Sequence, residues 1–244
     1  LSSMWTYSDT KYWPSDGYID FVAVANNTGS FYADTTNGAT VLYDGAADPA
    51  EQKDLLVATA NNTSKATNAL NGVDLQFKHV LSRIDVKVKN TTGDPTLKLV
   101  VKSIKFKNIL TYGEYKVSDK TWKTYPNDGV TSVLGLAAAQ IEQLGGAANY
   151  VSANSAAGAL IIVPQAQTTM EIEYEYYQES TDGQSYIRVA NFTGANKKTI
   201  TLSGNWNTDT KYTYELGINN DMTPITFTAS VSNWTNSVTV SSDL

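Results

Sequence analysis

The sequence predicts an all-β protein of two β-sandwich domains with one short helix, and three observations carry that reading. Apolar and polar residues alternate with period 2 in stretch after stretch of the 244-residue chain, the pattern of strands with one buried face. Turn chemistries separate the stretches: Ser15-Asp16-Gly17, Asn71-Gly72, Gly93-Asp94-Pro95, Asn127-Asp128-Gly129 and Asp182-Gly183. Charged residues make up 17%, against roughly a quarter in typical soluble domains. With 15 tyrosines and abundant Thr, Ser and Asn, that balance suits strands whose outer faces are polar but uncharged.

Taken in order, strands are expected at residues 18–24, 40–43 and 55–58. Ile84, Val86 and Val88 alternate with Asp85, Lys87 and Lys89, so one face is oily and the other charged. Leu97, Leu99 and Val101 run in one phase and Ile104 and Phe106 in the other, a slip that predicts a β-bulge near Lys102-Ser103. The helix candidate is 132–144, where Leu134, Ala138, Ile141 and Leu144 share a face and Gly145-Gly146 ends it. Strands follow at 159–163, at 170–176 with Met170, Ile172, Tyr174 and Tyr176 alternating with Glu171, Glu173 and Glu175, and at 186–192, 199–202, 212–218 and 225–231.

The stretch 61–71, rich in Asn, Thr, Ser and Ala, reads as a linker, so the expected domains are 1–72 and 73–244. About 70 residues are too few for a complete seven-stranded sandwich, so the first domain is expected to be incomplete at its N-terminus. Leu1 begins no signal peptide, as expected of a processed or trimmed chain.

Composition removes several function classes. A net charge of −6 and a pI near 4.8 leave no cationic surface for a phosphate backbone, so nucleic acid is not an expected partner. The same acidity disfavours anionic lipid. Without cysteine there is no disulfide framework, thiolate nucleophile or Cys-based zinc site. Apolar runs such as 159–163 fall far short of the roughly 20 residues that span a bilayer.

Few residues offer chemistry. His79 is the only histidine, with Ser82 and Asp85 at successive spacings of three. Positions three apart on a strand point to opposite faces, so these are no preassembled Ser-His-Asp group, and His79 reads as a structural polar residue at a strand start. Glu171, Glu173 and Glu175 share a face, as a glycosidase pair must, but their strand alternates with core residues and the row reads as solvated. Asn219-Asn220-Asp221 lacks the spaced carboxylates and Gly of a calcium loop and reads as a hairpin turn. No Gly-rich phosphate loop follows a strand, and no cofactor is expected. Trp5, Tyr12 and Trp13 crowd near the start and would suit a glycan platform. Tyr12-Trp13-Pro14 before Gly17 nevertheless reads first as a turn whose rings close a sandwich edge, and packing is the preferred reading.

Six short strings stand in fixed order along the chain: Trp13-Pro14, Asp20-Phe21, Gln52 with Asp54-Leu55-Leu56, Phe77-Lys78-His79, Pro164-Gln165 and Lys211-Tyr212-Thr213-Tyr214. In order and spacing they resemble the fimbrillin-like family of bacterial surface pilins and pilin-like proteins. The resemblance implies two transthyretin-like β-sandwich domains of Greek-key type, no enzymatic activity, and fibres joined by strand exchange. It also implies a lipoprotein precursor, with membrane attachment only through an upstream lipid anchor, and an extracellular position at the outer-membrane surface or in a fimbria. The expected partners are other pilin subunits in a head-to-tail polymer. Read from the residues, the alternative function is a surface glycan-binding module that uses exposed Trp5, Tyr12 and Trp13, with host or bacterial surface glycans or proteins as its partners.

In the family, a C-terminal segment of one subunit fills a groove in the next subunit's first domain, vacated when a protease removes the first strand. Carried over by position, the donor residues here are Val231, Val238, Val240 and Leu244, and the acceptor residues are Ile19, Phe21, Val41 and Leu56. Read from its own residues, the tail beyond Trp234 is a terminal strand with no charge before Asp243. It can close its own domain as an edge strand or be donated, and both readings stay open. Its short length fits a tip or terminal subunit.

Overall fold

A strand that alternates apolar and charged residues buries one row of side chains only when a second sheet covers it. The computed structural model describes residues 12–26, 29–34, 38–46, 48–68, 72–125, 129–134, 150–153, 159–220, 225–234 and 239–240, and their strands form an all-β sandwich fold around two hydrophobic cores.

The larger core lies between two five-stranded sheets. One runs Gly129–Leu134, Leu97–Leu110, Thr169–Glu179 and Tyr186–Phe192, with Lys198–Thr201 also paired to Thr169–Glu179. The other runs Val151–Ser152, Ser82–Asn90, Thr210–Ile218 and Thr226–Asn233, with Leu160–Ile162 also on Ser82–Asn90. Ser82–Asn90 and Thr210–Ile218 pair in parallel, from Ser82 opposite Thr210 to Asn90 opposite Ile218. The alternating rows meet inside: Ile84, Val86, Leu99, Ile172, Tyr176 and Tyr214 are all buried. The predicted bulge is present, because Ser103 faces Glu173 and Val101 faces Tyr174, leaving Lys102 between them without a register partner. That extra residue moves the inward phase from Val101 to Ile104.

The smaller core lies between a three-stranded sheet, ordered Ile19–Ala25, Leu56–Thr63 and Lys78–His79, and a four-stranded one, ordered Thr121–Thr124, Tyr112–Lys116, Gly38–Asp44 and Phe31–Asp34. Val41, Tyr43, Leu55, Leu81, Tyr115 and Val163 fill it. The strand Leu97–Leu110 has 14 residues, roughly 46 Å at about 3.3 Å per residue. It runs past the larger core and delivers the hairpin Tyr112–Thr124 to the smaller one, where Tyr115 faces Val41. The smaller core therefore draws on residues from both sides of position 72.

The expected helix at 132–144 does not begin as one. Gly129–Leu134 is a strand on the edge of Leu97–Leu110, with Leu134 opposite Ile104; residues 135–144 lie outside the described residues. An available sheet edge with β-branched Val130, Thr131 and Val133 outweighs the helical spacing of Leu134. The described short helix is instead Lys65–Asn68, inside the linker-like stretch, where the Asn68 N–H donates to the Ser64 carbonyl at 3.0 Å.

Candidate functional site

A surface that gives or takes strands is built from sheet edges and from the points where the chain crosses between cores, and both are defined here. The last long strand, Thr226–Asn233, ends its sheet among the described residues. It carries no charge, and its register places Phe227, Ala229 and Val231 opposite Leu216, Tyr214 and Tyr212, on the face that the neighbouring strand buries. Phe227 is nevertheless 41% and Val231 63% exposed. An uncharged edge with apolar side chains left in water is a template for further pairing.

At Trp234 the chain leaves that sheet and enters the smaller core. Its indole is 8% exposed and lies parallel to the His79 ring, 4.0 Å between centroids at 2°. Its backbone N–H donates to the Asp209 carbonyl at 3.2 Å. His79 Nδ1 lies 2.5 Å from Asp54 Oδ2; a carboxylate only accepts, so Nδ1 carries the proton and donates it. The pairing of Leu56 with His79 brings Asp54 within reach. His79 Nε2 and Asp54 Oδ1 are buried without a hydrogen-bond partner among the described residues. Asp209 borders the cluster. Burial pushes its carboxyl above the usual range, helped by the charge of Asp54 and partly offset by His79 and Lys78. A groove of about 560 Å³ opens beside it, lined by Val57, Gln76, Lys78, His79, Tyr115 and Asp209 among others. Beyond Trp234, Thr239 pairs with Gln76 and Val240 with Leu75, so the tail lies antiparallel on the chain's own Leu75–Gln76.

The donor and acceptor residues expected from the sequence fall in different settings. Val231 is the exposed edge residue already described, and Val240 is in the Leu75 pairing; Val238 and Leu244 lie outside the described residues. Ile19 and Phe21 are half-buried on Ile19–Ala25, which ends the three-stranded sheet among the described residues. Leu56 is half-buried opposite Ala25, whereas Val41 is fully buried in the smaller core. Of the aromatic trio, Trp5 lies outside the described residues, Tyr12 is 86% exposed, and Trp13 packs its ring 6.1 Å from Phe21.

The six strings have packing roles. Trp13 meets Phe21, and Asp20 Oδ1 accepts the Asn62 N–H at 2.8 Å. Gln52 Oε1 accepts the Ile161 N–H at 2.7 Å, and Gln165 brackets Leu110 by accepting its N–H at 3.0 Å and donating to its carbonyl at 3.2 Å. Tyr212 Oη donates to the Asn205 carbonyl at 2.8 Å, and Tyr214 Oη accepts from Trp206. The Asp54–His79–Trp234 cluster was not assembled by sequence reasoning, although Asp54 and His79 both stand in these strings.

Elsewhere, candidate reactive groups have separate partners. Ser82 Oγ donates to the Asn207 carbonyl at 2.7 Å, while Asp85 pairs with Lys211 at 3.0 Å and Arg83 at 3.3 Å. Glu171, Glu173 and Glu175 form a cross-strand ladder with Lys107, Lys105 and Lys102. Hydrogen bonds from Ser103 and the Gly194 N–H hold Glu173 below the usual carboxylate range. Among the described residues no group of three or more His, Asp or Glu is placed to hold a metal, and no helix is long and apolar enough to cross a membrane.

The sequence profile of the family described as fimbrillin-like matches residues 2–234. The fold is similar to that of a fimbrial protein from Bacteroides vulgatus, with a TM-score of 0.73 at 20% identity over 96% of this chain and 83% of that one. Candidate cell adhesion proteins from Bacteroides uniformis (TM-score 0.54, 18% identity, 94% of this chain and 78% of that one) and Bacteroides ovatus (0.52, 17%, 90% and 69%) are also similar. At these identities the likeness is one of fold. No curated protein shows significant sequence similarity to the chain.

Proposed function

The chain belongs to the fimbrillin-like family, and from that membership we propose that it is a structural or tip subunit of a bacterial surface fimbria, joined head to tail with other subunits by strand exchange after a lipoprotein precursor is processed. The observation that carries the reading is the family match over residues 2–234. Membership supports a fimbrial or adhesin subunit at the cell surface. The work proposed is structural, with side chains fastening subunits and catalysing nothing.

Two features support strand exchange. Ile19–Ala25 leaves an edge with half-buried Ile19 and Phe21, where a further strand would find both backbone partners and apolar contacts. The tail supplies a segment already in strand conformation at Thr239–Val240. Leu56 lines the same sheet, so the proposed acceptor is Ile19, Phe21 and Leu56, without the buried Val41. Burying four apolar side chains at roughly 1.5–3 kcal/mol each contributes on the order of 6–12 kcal/mol before ordering costs, enough for a fibre that rarely dissociates. Such a contact is heterologous and gives an open filament.

Deleting residues 237–244 tests this. The expected product is a folded monomer, with unchanged circular dichroism, that forms no fibres by electron microscopy. Fibres equal to those of the full chain overturn the strand-exchange reading.

A further inference from the structure

The C-terminal segment is held at two places by its own chain, and the two holds differ in kind. Its root, Trp234, is buried in the smaller core, stacked on His79 and bonded through its N–H to Asp209. His79 is in turn fixed by Asp54. Its outer part is held by a ladder of two residue pairs, Thr239 with Gln76 and Val240 with Leu75. Leu75–Gln76 has no other strand in its sheet among the described residues. Gln76 also borders the groove next to His79.

We propose that this pairing is an autoinhibitory latch: the chain stores its tail on Leu75–Gln76, and the stored position competes with donation of the same tail to a second copy. The proposal rests on the strand-exchange reading above. Trp234 and Thr239 are five positions apart, a reach of at most roughly 18 Å. While the ladder is closed, the tail is therefore confined to its own subunit. Among the described residues, opening it breaks the two-pair ladder and leaves the Trp234 root in the smaller core, so Trp234 is the pivot. A tethered segment has an effective concentration in the millimolar range for its own acceptor. Free subunits in dilute solution accordingly remain latched, and the tail transfers when a neighbour offers a longer edge and apolar contacts.

The absence of native cysteine makes the test clean. Directly opposed residues of antiparallel strands have Cα atoms about 4.5 or 5.5 Å apart, both inside the disulfide window of about 4.4–6.8 Å. In the full chain carrying Gln76→Cys and Thr239→Cys, oxidation in dilute solution is expected to give an internally crosslinked monomer, seen as faster migration on a non-reducing gel. This locked monomer is expected to form no fibres on concentration, and dithiothreitol is expected to restore wild-type fibre growth, the reduced protein serving as its own folding control. Intermolecular dimers only, no disulfide at all, or a locked monomer that polymerises as well as the reduced one overturns the latch. An internal disulfide with no fibres from either the reduced variant or the wild type removes the competition and, separately, sinks the strand-exchange reading.

Discussion

His79 is held by Asp54, 25 positions earlier, through a contact of 2.5 Å from Nδ1 to Oδ2, and presents the flat of its ring to Trp234. The pair is largely out of water, with side-chain exposures of 9% and 18%. Asp54→Ala removes the acceptor and leaves the imidazole N–H without a partner beneath the indole. The expected cost is about 1.5–3 kcal/mol, the range for a hydrogen bond to a charged group. Urea unfolding checks this, with Asp54→Asn expected to lose less because its amide oxygen can still accept. Equal midpoints for Asp54→Ala and wild type would mean that the contact does not help to hold the smaller core.

Asp209 is on the wrong side of its own titration. Its carboxyl is raised chiefly by burial, so the folded chain favours the protonated form. The stability this contributes is complete below the ordinary Asp range near 3.9 and is lost as pH rises through the elevated folded value. At neutral pH only the desolvation penalty of the half-buried charge remains. Asp209→Asn keeps the backbone bonds to Leu81 and Trp234. It also suits the positive φ of 54°, a conformation in which Asn is enriched. Thermal unfolding is expected to show the Asp209→Asn variant as the more stable protein at pH 7, with the difference gone by about pH 3. A variant no more stable than wild type at pH 7 would mean that the carboxylate carries no burial penalty.

Glu175 behaves in the opposite sense. It is 5% exposed, and burial by itself pushes its carboxyl up; hydrogen bonds from Tyr177, Lys102 and Arg188 outweigh that and bring it below the usual range. Lys102, at 3.1 Å, is the bulged residue. Because the folded form binds fewer protons, this contribution is complete above the ordinary Glu range near 4.3 and fades as pH falls through the lowered value. Urea midpoints are expected to drop as pH falls below about 4, and Glu175→Gln to lower stability at pH 7 while flattening that acid slope. A slope unchanged in Glu175→Gln would assign the acid sensitivity to other carboxylates.

The sequence was most legible where one strand face is apolar and the other charged. Met170 to Tyr176 and Ile84 to Val88 read directly, Tyr186–Phe192 matched at both ends, and the phase slip at Lys102-Ser103 is the bulge itself. The hairpin Tyr112–Thr124 escaped because its inward row, Gly113, Tyr115 and Val117, alternates properly but opens on a residue with no apolar side chain to mark it. Gly113 stands where an added Cβ would lie 3.1 Å from Trp122 and 3.2 Å from Val163, so a side chain there would have to push these neighbours back by a few tenths of an ångström. Leu134 was misread because helical spacing in a short window says nothing of a free sheet edge nearby. The Asp54–His79 contact depends on the register of Leu56 with His79, which residue spacing does not encode. The chain-crossing role of Trp234 was hidden for the same reason: a lone Trp beside turn residues shows no partner until two cores are placed around it.

Two buried tyrosine hydroxyls should be unequal in worth, because their partners differ in what they keep when the oxygen is removed. Tyr176 Oη shares its proton between the Ile218 carbonyl at 2.8 Å and Asn90 Oδ1 at 3.2 Å. Ile218 still accepts from the Thr91 N–H and hydroxyl, and Asn90 Oδ1 from those of Thr92, so Tyr176→Phe strands neither acceptor. Its cost is expected to be about 0.5–1.5 kcal/mol, the net value of an ordinary hydrogen bond. Tyr214 Oη, whose pKa burial pushes up to about 12, accepts the Trp206 Nε1–H at 2.9 Å in a site where both residues are 1% exposed. Tyr214→Phe leaves the indole N–H without this acceptor in a core closed to solvent, and the expected cost is about 1–3 kcal/mol. Urea unfolding of both variants at pH 7, compared at equal m-values, decides between them. A Tyr176→Phe loss equal to or larger than that of Tyr214→Phe would show that a water or a side-chain shift rescues Trp206, and that counting the bonds left to each partner is the wrong guide to this core.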